Sequence, residues 1–374
     1  AAPDADLESM RAPEAACCTY RTGMCQSAGF LVHSMEVHSK RGMCRSEGQR
    51  KLAGPGGTLK FVALKGGADV EDSYQPLQSI RTLVNADDPE GRHVKLPLRL
   101  LNTLVYRGIP GEKIETAPEI TELLHGIRDD DPFLADECEV ILPGEVASLN
   151  YDHPVYNELD AAPYQQKELL GAIWRESVHT SLDADERAVP LAALMHEENG
   201  TAMLSTLVER SGLSLGAWFD RLFDALFPPL LHFTYKYGIG FSPHGEDTIL
   251  VLEDGVPTRI GLKDFIDLSL ADRDLPEHDR IPDHLWDVLG TKSPDRFRHC
   301  IVSSLFVCVL RYVADVLEVH EDYPEEEFWT HARDAILDYQ AQFPELEDRF
   351  ELFDLLQPEF TKLSLNRNRI FDYG

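Results

Sequence analysis

Positive charge is what this 374-residue, 42.1 kDa chain has least of. Lys and Arg together number 35 against 65 Asp and Glu, which gives a formal net charge of −30 and a pI near 4.7. Within the cations lysine is the scarcer, 11 residues against 24 Arg. Such a balance excludes broad, non-specific attraction to DNA or to an anionic membrane, and leaves room only for a local basic pocket. It fits a salt-adapted proteome, where high salt screens carboxylates that would otherwise repel one another, and equally an ordinary acidic protein of the cytosol.

Long apolar runs are scarce too. The longest candidate, 301–317, is interrupted by Ser303, Ser304, Arg311 and Asp315, so it reads as a buried helix and no membrane partner is expected. Residues 1–11 carry acids and no apolar core of a signal peptide, so the cytoplasm is the expected compartment. Paired Cys-x-x-Cys knuckles are missing. Four of the 7 cysteines (Cys17, Cys18, Cys25 and Cys44) crowd the first 44 residues with a spacing that matches no common zinc pattern. Residues 1–55 also show no sustained period of 2 or 3.6 and are expected to be a poorly ordered leader.

What remains is an ordinary globular composition, 43% hydrophobic and 27% charged, long enough for two or three domains. Strands are expected at 59–64, 79–84, from His93 to a stop at Pro97, and around a Pro143-Gly144 turn at 138–142 and 146–149. Helices are expected to start near 100–106 and to cover 118–127 and 164–177. A stronger helix begins behind Ser214, with Leu215, Trp218, Phe219, Leu222, Phe223 and Leu226 at helical spacing, and Pro228-Pro229 should break or kink it before 230–237 resumes. Gly238 can end that piece in the left-handed conformation, and helices over 301–318 and 325–343 follow. Strands in one half with helices and a hairpin in the other predict an α+β fold.

Two clusters carry chemistry. Runs at 248–252 and 259–262 flank Asp254-Gly255, a strong hairpin signal, so folding there brings His244, Glu246 and Asp247 to Lys263 and Asp264. Carboxylates and an imidazole at a hairpin mouth suit a hydrated divalent cation and its phosphates, or are simply charges on a solvated hairpin end. Upstream, Ser79-Ile80-Arg81-Thr82 alternates so that Ser79 and Arg81 share one strand face, and Lys95 and Arg107 add positive charge nearby. Arg offers a bidentate fork to phosphate or carboxylate, Lys a point charge and Ser or Thr a hydroxyl.

With these residues in order and spacing, the chain resembles the IucA/IucC family of NRPS-independent siderophore synthetases. The resemblance rests on 79–82 (Ser-Ile-Arg-Thr), 93–98, 102–107 (Asn-Thr-Leu-Val-Tyr-Arg), 241–252, 263–265 (Lys-Asp-Phe) and 362–369. It implies a hand-like architecture, with a fingers-like part at 56–163 and a palm-like, FhuF-like part at 164–374. The implied activity is an ATP-dependent ligase that adenylates a carboxylate of citrate or a related acid, releases pyrophosphate, and passes the acyl group to an amine or alcohol. By position, Ser79, Arg81, Thr82 and Lys95 would hold the ATP phosphates, Arg107 and His244 would act where carboxylate and α-phosphate meet, and Asp264 would bind Mg²⁺. Asp247 stands where the family usually has Asn, and Thr103 would contact the carboxylate substrate. No nucleic acid or membrane partner is implied, and a homodimer is expected. The family's N-terminal thumb-like region has no counterpart in 1–55, and the His-Pro pair it carries occurs here only at His153-Pro154. The residues 244–267 also look like the catalytic loop of aminoglycoside-kinase-like phosphotransferases, though no Gly-rich phosphate loop precedes a strand Lys. A homologue that binds nucleotide or carboxylate without turning it over is the third reading.

Overall fold

The computed structural model describes residues 51–52, 58–60, 73–77, 79, 81–102, 105–151, 155–156, 158–159, 167–272 and 275–361. Of the expected leader only Lys51–Leu52 are described, and residues 61–64 of the expected first strand, Thr103, His153-Pro154 and 362–369 lie outside the described residues.

The first half of the chain builds a seven-stranded sheet of order β1-β2-β8-β9-β5-β4-β3. Its strands are β1 (Lys51–Leu52), β2 (Thr58–Lys60), β3 (Tyr74–Pro76), β4 (Thr82–Asn85), β5 (His93–Lys95), β8 (Glu145–Asn150) and β9 (Gly171–Arg175). All neighbours run antiparallel except β2 and β8. β5 ends two residues before Pro97, as the missing N–H of proline requires. β6 (Leu98–Asn102) and β7 (Val105–Arg107) then form a separate hairpin.

Four local expectations are overturned here. Residues 100–106 are not the start of a helix, because Leu98 pairs with Arg107 and Asn102 with Val105. Within the helix expected at 164–177, of which 164–166 lie outside the described residues, 171–175 instead form β9, a central strand bonded to both β8 and β5, where tertiary pairing overrides a short helical pattern. Strand β4 begins at Thr82 rather than at Ser79, and the Leu77 N–H donates to the Thr82 carbonyl at its start. At 138–142 there is no strand but a single parallel bridge from Ile141 to Gly261.

Helix α1 (Gly111–Asp130) is longer than the expected 118–127 and packs against β8. After β10 (Glu186–Pro190) and the small β11 (Glu197–Glu198) and β12 (Thr201–Ala202) pair, the chain turns helical. α2 (Met203–Ser211) leads to α3 (Leu215–Tyr235), whose Ser214 cap accepts a hydrogen bond from the Ala217 N–H. Pro228 and Pro229 do not break α3. The helix is buried continuously from Pro229 to Tyr235, so packing outweighs the hydrogen bonds that the two prolines remove. Phe219, Phe223 and Phe227 line it, and the first two meet Phe328 of a later helix edge-on at 5.2 and 5.3 Å.

β13 (Ile239–Gly240) follows, reached through Gly238 at φ +59, then the hairpin of β14 (Thr248–Glu253) and β15 (Val256–Leu262). Asp254 (φ 47) and Gly255 (φ 86) both sit in the left-handed region, the conformation a two-residue hairpin turn demands. β16 (Ser269–Ala271), α4 (Asp283–Leu289) and β17 (Thr291–Lys292) precede α5 (Pro294–Glu321), which is π-helical over Val302–Leu310, and α6 (Glu325–Gln342). By length and composition α5 would suffice to cross a membrane, yet 61% of its most apolar window is buried within the fold, as in the core helix of a globular body. The whole is α+β, a largely antiparallel sheet in one half and helices around a hairpin in the other.

Candidate functional site

Opposed residues of neighbouring strands point to the same face of a sheet. The register Thr82 to Lys95, His93 to Arg175 and Glu145 to Arg175 therefore puts five polar side chains on one face of β4, β5, β9 and β8. The other face holds Leu83, Val94, Leu149 and Ala172 in an apolar cluster. Thr82, Lys95, Glu145 and Arg175 are all buried, at 2, 3, 0 and 2% exposure. Charges withdrawn from water this far need partners from elsewhere in the chain.

The hairpin supplies them. Ile141 is bonded on both sides to β15, which draws the edge of the hairpin against the segment that enters β8 at Glu145. Beyond β15, Ile266 packs with Ile109, Ile114, Ala117 and Ile173, and Lys113 of α1 donates to the Ile266 carbonyl (2.8 Å) and to Asp267 (2.9 Å). Between these two anchors Asp264 takes a left-handed conformation, φ 71, and turns its carboxylate to the Lys95 ammonium. Lys95 also pairs with Glu145 at 3.9 Å. Burial works to raise the Asp264 carboxyl, but Lys95 and then Arg175 outweigh it and hold the group below the usual carboxylate range. Glu145 goes the other way: burial pushes it up to about 7 against the pull of Lys95.

At the hairpin mouth the Lys263 ammonium donates to Asp247 at 2.8 Å, and the Lys263 N–H donates to the Asp247 carbonyl at 3.1 Å. Burial and the nearby Arg175 lower the proton affinity of Lys263. Burial, Arg175, His179 and Lys263 lower His93 to about 4, so it is a neutral imidazole at physiological pH. Arg81, in the turn before β4, donates to the Gly108 carbonyl just after β7. Burial depresses its guanidinium, Asp264 opposes that effect, and Arg107 reinforces it. His244 is exposed, and its carbonyl accepts from the Asp247 and Thr248 N–H groups in the turn that enters β14. Glu246 beside it feels Asp247, Lys263, His244 and Asp264.

The structure thus brings together Arg81, Thr82, Lys95, Arg107 and Asp264, with Asp247 and His244 at the adjoining hairpin mouth. Ser79 lies in the turn ahead of Thr82 rather than on a shared strand face, and its buried hydroxyl has no hydrogen bond. Asp247 gives its charge to Lys263. Two buried members of the site, Glu145 and Arg175, carried no signal that local sequence reading recognises, because their place depends on register with β5. Among the described residues no three His, Cys, Asp or Glu side chains assemble as a metal cage. An ionised, partly exposed Asp264 nevertheless fits Mg²⁺ of the kind that takes one or two protein carboxylates and fills its other positions with phosphate oxygens and water.

Comparison with known proteins matches the two halves separately. The IucA / IucC family model covers residues 63–196, and the model described as Ferric iron reductase FhuF-like transporter covers 216–374. The rhizobactin siderophore biosynthesis protein RhbF of Rhizobium meliloti (strain 1021) is 42% identical over 306 residues, 81% of this chain and 51% of its own length. The aerobactin synthase of Escherichia coli is 36% identical over 79% of this chain and 51% of its own. Among solved structures, the petrobactin biosynthesis protein AsbB from Bacillus anthracis str. Sterne superposes with a TM-score of 0.75 at 30% identity, over 82% of this chain and 52% of that one. Aerobactin synthetase IucC from a hypervirulent pathotype of Klebsiella pneumoniae gives 0.70 at 30% identity, over 81% and 52%. The chain spans about half the length of the curated relatives it matches.

Proposed function

Because the chain belongs to the IucA/IucC family, we propose that it is an ATP-dependent ligase of siderophore assembly, acting in the cytoplasm on a citrate-like acid and an amine or alcohol. One observation carries the reading. In a chain of net charge −30, Arg81, Lys95 and Arg107 gather at a buried, polar face of the sheet, beside a carboxylate held ionised. Basic groups so concentrated in an acidic protein suit a polyanion such as a nucleotide triphosphate.

In this mechanism a carboxylate oxygen of the acid attacks the α-phosphorus of ATP, the bond to the β-phosphate oxygen breaks, and pyrophosphate leaves. Arg81, Lys95, Thr82 and Ser79 hold the phosphates, and Arg107 and His244 offset the charge that builds on the phosphorus oxygens. The amine or hydroxyl then attacks the acyl carbon, AMP departs with the bonding pair, and the nucleophile's proton is released. Mg²⁺, when bound, would neutralise phosphate charge, with Asp264 as its protein ligand. For both to act, Lys95 must leave Asp264 for phosphate.

That same contact favours a second reading, a homologue that binds nucleotide without turning it over, since the phosphate lysine and the metal carboxylate are bonded to each other. Product analysis separates the readings. The ligase converts ATP to AMP and pyrophosphate when citrate and an amine are present; tight ATP binding without turnover supports the binding homologue, and ADP would point to a phosphotransferase.

A further inference from the structure

Two buried ionisable side chains at the site hold polar atoms with no hydrogen-bond partner. Arg175 is 2% exposed, and neither its Nε nor its Nη2 donor finds an acceptor. Glu145, opposite it in the β8 to β9 register, is 0% exposed, and neither of its oxygens accepts a hydrogen bond. The two share a sheet face without forming an ion pair with each other. Nearby carboxylates are committed elsewhere, Asp264 to Lys95 and Asp247 to Lys263.

A guanidinium is a rigid, permanently charged fork, and leaving its donors unmatched in a dry site is costly. Arg175 lies on the same face as Lys95, close enough to help keep Asp264 ionised, and is flanked by His93 and Lys263. The neutral His93 does not compete for an anion. Glu145 lies near both Lys95 and Arg175 yet leaves the Arg175 Nε and Nη2 donors open.

We infer that Arg175 is an oxyanion ligand of the site, its free donors receiving either a carboxylate of the acid substrate or a phosphate of the nucleotide. The inference deepens the ligase reading and rests on it, and it adds a cation beyond Arg81, Lys95 and Arg107.

Isothermal titration of the full chain with MgATP and, separately, with citrate tests it. The proteins compared are the wild type, Arg175→Gln, Arg175→Lys and the exposed control Arg333→Gln. Arg175→Gln is expected to weaken at least one ligand by about tenfold or more, Arg175→Lys by a smaller factor because it keeps the charge without the fork, and Arg333→Gln neither. Loss confined to MgATP identifies a phosphate as the oxyanion, and loss confined to citrate a carboxylate; loss of both puts Arg175 where the two meet. Arg175→Lys retains the charge beside Glu145, so it remains informative if the Gln variant does not fold. Unchanged affinities in the folded variants would overturn the role of Arg175 and leave the ligase reading standing. A wild type that binds neither ligand would remove the ligase reading, and the inference with it.

Discussion

Lys95 shows how much a single side chain settles here. It is buried, bonded to Asp264, paired with Glu145 and placed by register opposite Thr82, so removing it strips the site of its central cation. Lys95→Ala and Arg81→Ala should each weaken ATP binding by about tenfold or more and abolish exchange of pyrophosphate into ATP; wild-type exchange in either would take that residue out of the site. Asp264→Asn should raise the Mg²⁺ concentration needed for half-maximal activity, and an unchanged Mg²⁺ titration would discard the metal assignment. A second buried network is structural. Asp131 accepts from His232 (3.0 Å), Lys236 (2.7 Å) and the Tyr237 hydroxyl (2.7 Å), while His232 also meets the Tyr339 hydroxyl. Burial lowers His232 to about 4 despite Asp131, so between pH 6.5 and 4 the unfolded chain binds a proton that the folded chain refuses. Stability supplied by this group is therefore complete above pH 6.5 and lost as the pH falls through that window. The difference between wild-type and His232→Gln unfolding profiles isolates it from His93 and Glu145 and should change by on the order of 2 kcal/mol from pH 7 to pH 4.

Secondary-structure elements were legible in the sequence where local chemistry decides them. Asp254-Gly255 demanded a hairpin and Ser214 a helix start, and both are found. The strand β9 and the β6–β7 hairpin were misread as helix because short apolar runs fit either period, and only pairing with distant strands decides between them. The same dependence hid Glu145 and Arg175, whereas Lys95, Arg81 and Asp264 were reached through motif resemblance. The hairpin gives a test at this scale. A Cβ on Gly255 would meet the Leu207 carbonyl at 2.7 Å, at a φ of 86 that side chains resist. Gly255→Ala should cost roughly 2 kcal/mol in chemical denaturation. ATP affinity of the folded variant should stay unchanged, because Asp264 sits at the opposite end of β15.

The excess of negative charge acts on the whole molecule. A net −30 repels itself, so screening should raise the melting temperature between low and molar KCl, and no rise would argue against salt adaptation. Against that background the cations of the site are the exception that points to a polyanionic substrate. The most direct measurement of the central claim is citrate-dependent exchange of labelled pyrophosphate into ATP by the wild-type chain and by Arg81→Ala. The account predicts exchange that requires both citrate and Mg²⁺ and disappears in Arg81→Ala. Exchange indifferent to citrate, or ATP consumed to ADP, would contradict it.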